Sequence, residues 1–248
     1  HLQKLYLDIE AVRFPDRLKT AIDIPPALLN ACVPASHSEV ATRAVIADST
    51  LPPMKQFTQA RPAQPHVSNA ALAEDFLDLS FRMESGRALP VLTRFEGPIT
   101  LRVLGQPPAT LGPDLARLLA RLRREAGIEL REVTGGEAGI TIQAVNRSQI
   151  RRLLPQAACF VVPNVSTLEE YRRARRSPAT DWTRLTERRK LAIFLPNDVS
   201  PQESRDCLHE ELAQALGPLN DLYRLPDSVF NDDNVHTVLT GFDMLVLR

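Results

Sequence analysis

From residue 69 onward the chain has only two histidines, His209 and His236. A conventional catalytic zinc held by three histidines therefore cannot be assembled there. Lysine is scarce as well. Four lysines (Lys4, Lys19, Lys55, Lys190) stand against 26 arginines, a skew that points to an Arg-rich, GC-rich bacterial coding background rather than to a binding role. Basic and acidic residues balance at 30 each, so no global field draws the protein to nucleic acid. No run of 18 apolar residues exists to form a transmembrane helix. There is no G-x-S-x-G elbow, no C-x-x-C pair and no EF-hand spacing. Gly135, Gly136 and Gly139 lack phosphate-loop spacing and read as a tight connection. No cofactor is expected from these motifs.

Cysteine is limited to three residues, Cys32, Cys159 and Cys207. Leu29-Asn30-Ala31-Cys32 looks like a bacterial lipobox, in which the cysteine becomes a lipidated N-terminus. The segment before it carries Asp23 and two prolines, a poor signal-peptide core, and an irregular N-terminal segment is the competing reading. With Cys32 lipidated, Cys159 and Cys207 remain as an even pair. A disulfide between them would fit an oxidising periplasm; two buried free thiols would fit equally.

Composition divides the chain at residue 68. Residues 1–68 are rich in Pro, Ala and Ser, with Pro52, Pro53, Pro62 and Pro65 close together and weak apolar periodicity. They read as a tail and linker with at most a short helix. From Asn69 the pattern sharpens. Asn69 is placed to cap a helix whose Leu72, Phe76, Leu79 and Met83 share a face, ending near Gly86. Strands follow at 98–104, 128–133, 140–145, 158–162 and 191–195. A helix opened by Pro113 and Asp114 and stopped at Gly127 lies between the first two. The Arg-rich stretch with Arg172, Arg173, Arg175, Arg176 and Arg188-Arg189-Lys190 reads as a solvated face, with an anion-binding patch as the alternative. Ser200-Pro201-Gln202-Glu203 joins a capping pattern to proline at the first helical position, so a helix should run over 201–216 and stop at Gly217-Pro218. This order describes an α/β (α+β) domain, a twisted mixed sheet packed by helices, over residues 69–248.

The helix at 201–216 carries the informative constellation. Read from Glu210, it gives Glu210-Glu211-x-x-Gln214-x-x-Gly217-x-x-Asn220, the spacing of H-E-x-x-H-x-x-G-x-x-H with Glu, Gln and Asn in the three ligand places. Over roughly Pro98 to Arg248 the chain here resembles the metzincin zinc peptidases. The resemblance implies that Glu210, Gln214 and Asn220 are degenerate metal-ligand positions and that Glu211 stands where the general base would be. It also implies that Gly217 makes the sharp turn after the helix. Ser228-Val229-Phe230 resembles the Met-turn with Phe in place of Met, and Thr240-Gly241-Phe242-Asp243 opens a C-terminal helix much as those domains end. An oxygen and amide donor set suits zinc poorly. His209 and His236 read as a supporting or surface histidine and a loop histidine.

Asp75-Phe76-Leu77-Asp78-Leu79, Thr93-Arg94-Phe95-Glu96-Gly97-Pro98, Glu210 to Gly217 and Ser228-Val229-Phe230-Asn231-Asp232 are similar to a proteobacterial family of candidate lipoproteins known only as a domain of unknown function. That resemblance implies a periplasmic location with a lipid anchor at Cys32. The expected function is a non-catalytic envelope protein with a degenerate peptidase fold, binding or scaffolding a peptide, protein or cell-wall polymer. The alternative is a diverged hydrolase in which Glu211 is the general base and Gln214 or Asn220 orients water.

Overall fold

The computed structural model describes residues 67–231 and 236–248, together with the backbone of 41–44. Its sheet contains β1 (Ala41–Ala44), β2 (Ile99–Gly105), β3 (Leu130–Glu132), β4 (Ile140–Val145), β5 (Ala157–Pro163) and β6 (Leu191–Pro196) in the order β1-β5-β6-β4-β2-β3. β2 is parallel to β3 and to β4, and β4 is parallel to β6. β5 runs antiparallel to β6 and to β1. Within residues 69–248 the sheet is thus mostly parallel, with one antiparallel strand on its outside.

The central strands read as near-continuous apolar runs because both of their faces are covered. Side-chain alternation divides them between two cores. Cys159 and Val161 of β5 and Leu191, Ile193 and Leu195 of β6 enter the larger core. Phe160 and Val162, with Ala192 and Phe194, enter the smaller one. Phe160 lies opposite Phe194, their rings 4.8 Å apart, and Tyr171 closes the group 5.2 Å from Phe160.

Helices fill both faces. α1 (Asn69–Ser80), α2 (Leu111–Arg121), α5 (Pro201–Leu216) and α6 (Gly241–Leu247) supply the larger core, while α3 (Arg147–Leu153) and α4 (Leu168–Ala174) cover the smaller. α2 presents Leu111, Leu115 and Leu118 inward, continues through a wider turn at Leu122–Ala126, and ends at Gly127 with φ +72°. That left-handed geometry is accessible to glycine at no steric cost.

Three elements differ from the sequence expectation. The cap of α1 is Ser68, whose hydroxyl accepts from Ala71 N at 3.1 Å; the helix ends at Ser80, and a turn at Gly86 follows as a separate feature. α3 lies outside the sequence expectation, because in Arg147–Leu153 only Ile150 is buried and no apolar stripe betrays it. Residues 41–44, placed in the tail, form a strand. Cys32, Pro52, Pro53, Pro62, Pro65 and Asp232 lie outside the described residues. Among the described residues no helix is long and apolar enough to cross a membrane.

Candidate functional site

α5 passes through the interior with polar groups aboard. Ser200 accepts from Glu203 N at 3.2 Å and Pro201 occupies the first turn. The Glu203 carboxylate pairs with Arg147 at 3.6 Å. Asp206, His209, Glu210, Glu211 and Gln214 are all buried, Glu211 and Gln214 completely. Buried polar groups are tolerated only where partners replace water, so each side chain's direction is informative.

Two of the three ligand-like positions are directed toward the end of α1. Gln214 Nε2 donates to Glu84 at 3.3 Å, and Asn220 Nδ2 donates to the carbonyl of Asp78 at 3.0 Å. Leu219 N donates to Leu79 O at 2.9 Å. The chain after Gly217 therefore caps the C-terminal carbonyls of α1, groups that a helix cannot satisfy itself. Arg224 spans Asp75 at 2.9 Å and Asp78 at 2.7 Å on the same helix. Glu210 shares a helical face with Gln214. Among the described residues no three His, Cys, Asp or Glu side chains are placed to hold a metal ion.

Gly217 turns the chain with φ −161°, outside the left-handed region, and an added Cβ would meet only Leu247 Cδ2 at 3.7 Å. Downstream, Ser228 Oγ donates to Asp243 Oδ1 at 2.6 Å and accepts from Phe230 N at 3.0 Å. Asp243 also accepts from Val229 N and, as the second half of a capping box, from Thr240 N at 2.6 Å. Burial is the strongest influence on Asp243 and raises its carboxyl above the ordinary range, against these hydrogen bonds. The turn at 228–230 is thereby fixed to α6, with Phe230 fully buried.

His209 is not a surface residue. It is buried, and its Nδ1 accepts from Leu239 N at 3.1 Å, attaching the C-terminal segment to α5. Desolvation, followed by Arg121, Arg205 and Arg117, pushes its pKa down to about 3 from 6.5. The unfolded chain takes up a proton that the folded one refuses. The part of the stability that depends on His209 is therefore fully present above its unfolded pKa of 6.5 and is lost as pH falls below it, by about 1.4 kcal/mol per pH unit at most. Urea titrations between pH 5 and 6.5 should show this slope, and His209→Asn should flatten it. Equal slopes in the two proteins would remove His209 as the cause.

The feature that sequence reasoning missed is Arg188. Set among Arg189 and Lys190 it reads as solvated, yet it is 2 % exposed. Its Nη1 donates to Gln214 O at 2.5 Å, Nη2 to Gly217 O at 2.6 Å and Nε to Thr93 Oγ1 at 3.0 Å. The guanidinium lies 5.2 Å from the Trp182 ring centroid. Burial lowers its pKa to about 9, so it is a cation at neutral pH. It sits against the last carbonyls of α5, where a helix dipole favours positive charge. By contrast Arg172 and Arg173 are exposed and pair with Glu169, each at 3.1 Å. His236 Nε2 lies 2.8 Å from Pro226 O.

Cys159 and Cys207 are joined in a disulfide, so β5 and α5 are covalently linked inside the larger core. Fold and site together define a mixed α/β domain whose central helix is polar, buried and anchored at both ends. The chain belongs to the family described as protein of unknown function (DUF2927), whose profile matches residues 69–248. No curated protein matches it significantly.

Proposed function

We propose that this domain is a metzincin-like fold without the zinc site, serving in the periplasm as a binding or scaffolding protein. It would hold an extended segment of a peptide or protein partner along β5, the outer strand of the sheet within residues 69–248, the β-addition mode of recognition. A lipid anchor at Cys32 would place it on the envelope surface. The observation carrying this reading is the arrangement of β5 and α5. Within 69–248 the strands run β3-β2-β4-β6-β5, the antiparallel β5 is outermost, and it is bonded to the helix bearing Glu210-Glu211-x-x-Gln214-x-x-Gly217-x-x-Asn220. The buried disulfide favours an oxidising compartment. The Gln214 and Asn220 amides are engaged with Glu84 and Asp78, which favours a structural use of these positions over orienting a water for Glu211.

The test is elemental analysis of the purified chain after incubation with zinc, manganese and calcium and then desalting, alongside peptide-hydrolysis assays of wild type and Glu211→Gln. The expected results are no retained metal and no turnover for the substitution to abolish. Stoichiometric metal that disappears in Glu210→Ala, or turnover lost in a folded Glu211→Gln protein, would make the domain a hydrolase instead.

A further inference from the structure

β5 has few ways to tolerate an open edge. Its residues are buried on both faces, and Cys159 fixes it to α5. One of its edges is paired with β6. Left unpaired, the outer row of N–H and C=O groups on so apolar a strand would be a template for any extended chain. The structure places Ala41–Ala44 on that row, beside α5. This strand lies outside the family-matched residues 69–248. It has only four residues, pairing Ala41 with Val161 and Thr42 with Phe160, and its register breaks before Ala44 meets Ala157. Only three paired positions with a register shift hold β1 to this edge. In the sequence, 24 residues separate it from α1.

We infer that the outer edge of β5 is a peptide-docking site and that Ala41–Ala44 is its built-in competitor. A partner would enter as an antiparallel strand, proline-free over at least four residues because each outward carbonyl of β5 needs a backbone donor. The displaced segment, Ala41-Thr42-Arg43-Ala44, is rich in small residues, and the fitting partner shares that character. The inference rests on the reading of this edge as the binding surface and adds its regulation.

The experiment uses the full chain and an Ala41→Pro/Thr42→Pro variant, with thermal melts confirming that both fold. The probe is a labelled synthetic peptide covering residues 38–47. Hydrogen exchange is followed at β5, and peptide binding by fluorescence anisotropy. Exchange at β5 should rise at least tenfold in the variant and return to the wild-type rate on adding peptide. The variant should bind the peptide at least tenfold more tightly than wild type. Equal binding to both proteins would leave the edge as a docking surface and overturn the competition. Faster exchange in the variant without peptide binding would make β1 a permanent sixth strand. Unchanged exchange at β5 with no binding to either protein would remove both the competitor and the docking edge.

Discussion

Arg188→Met lowers the stability of the domain by about 3 kcal/mol or more, because the substitution strands buried partners rather than trimming a surface charge. Two carbonyls at the end of α5, Gln214 O and Gly217 O, lose their donor in the interior, and Thr93 Oγ1 loses a third bond. A buried acceptor left without a donor costs about 1–3 kcal/mol, and the lost cation at a helix C-terminus adds up to about 2 kcal/mol. Methionine preserves the packing volume against Trp182, so a void contributes little. Among the described residues no carboxylate pairs with this guanidinium; carbonyl dipoles and the indole face take that role. Arg188→Lys should recover less than half of the loss, since a single ammonium cannot reach three acceptors on separate segments. In thermal unfolding the methionine variant should melt about 6–12 °C lower. A loss under about 1 kcal/mol would mean that water or a shifted backbone satisfies the carbonyls.

The contrast between Arg188 and its neighbours shows where legibility stops. Elements with their own local signals were readable: α5 between Ser200-Pro201 and Gly217, the stop of α2 at Gly127, and the apolar runs of β4, β5 and β6. Each of these states its boundaries within a few residues. Arg188 is different, since its partners lie 95 and 26 to 29 residues away, and nothing in Arg188-Arg189-Lys190 distinguishes the buried arginine from the exposed one. α3 did carry a signal, the Asn146 and Gln149 capping box, but with one buried side chain the periodicity was silent. The four phrases at 75–79, 93–98, 210–217 and 228–232 stand apart in the sequence, with nothing in them to say that they are neighbours. In the fold the first three meet around the end of α5, where Asn220 just beyond the helix donates to Asp78 O and Arg188 joins Thr93 to Gln214 O, while Ser228 of the fourth is held by Asp243. The ligand-like spacing on α5 was legible; that its amides turn toward α1 was not, because only tertiary packing decides which face of a helix meets which neighbour.

Removing the Cys159–Cys207 disulfide is the second large expected effect. The bond closes a stretch with a sequence separation of 48 residues, for which the chain-entropy model gives about 4 kcal/mol of stabilisation through the unfolded state. That stretch contains α4, β6 and the start of α5, so the constraint acts on the connection that brings β5 and α5 together. A Cys159→Ala/Cys207→Ala protein keeps the surrounding core of Val161, Leu208 and Ile193 but loses the link, and small alanines leave some packing unfilled. Its urea midpoint should fall by the equivalent of 2–4 kcal/mol, roughly the range for native disulfides. Because both sulfurs are buried, a mild reductant should act on the native protein only through transient opening, so reduction should quicken sharply in urea. An unchanged midpoint in the double alanine variant would mean that the two elements are held by packing alone. It would also withdraw the main support for an oxidising compartment, since a bond that contributes nothing gives no reason to prefer one.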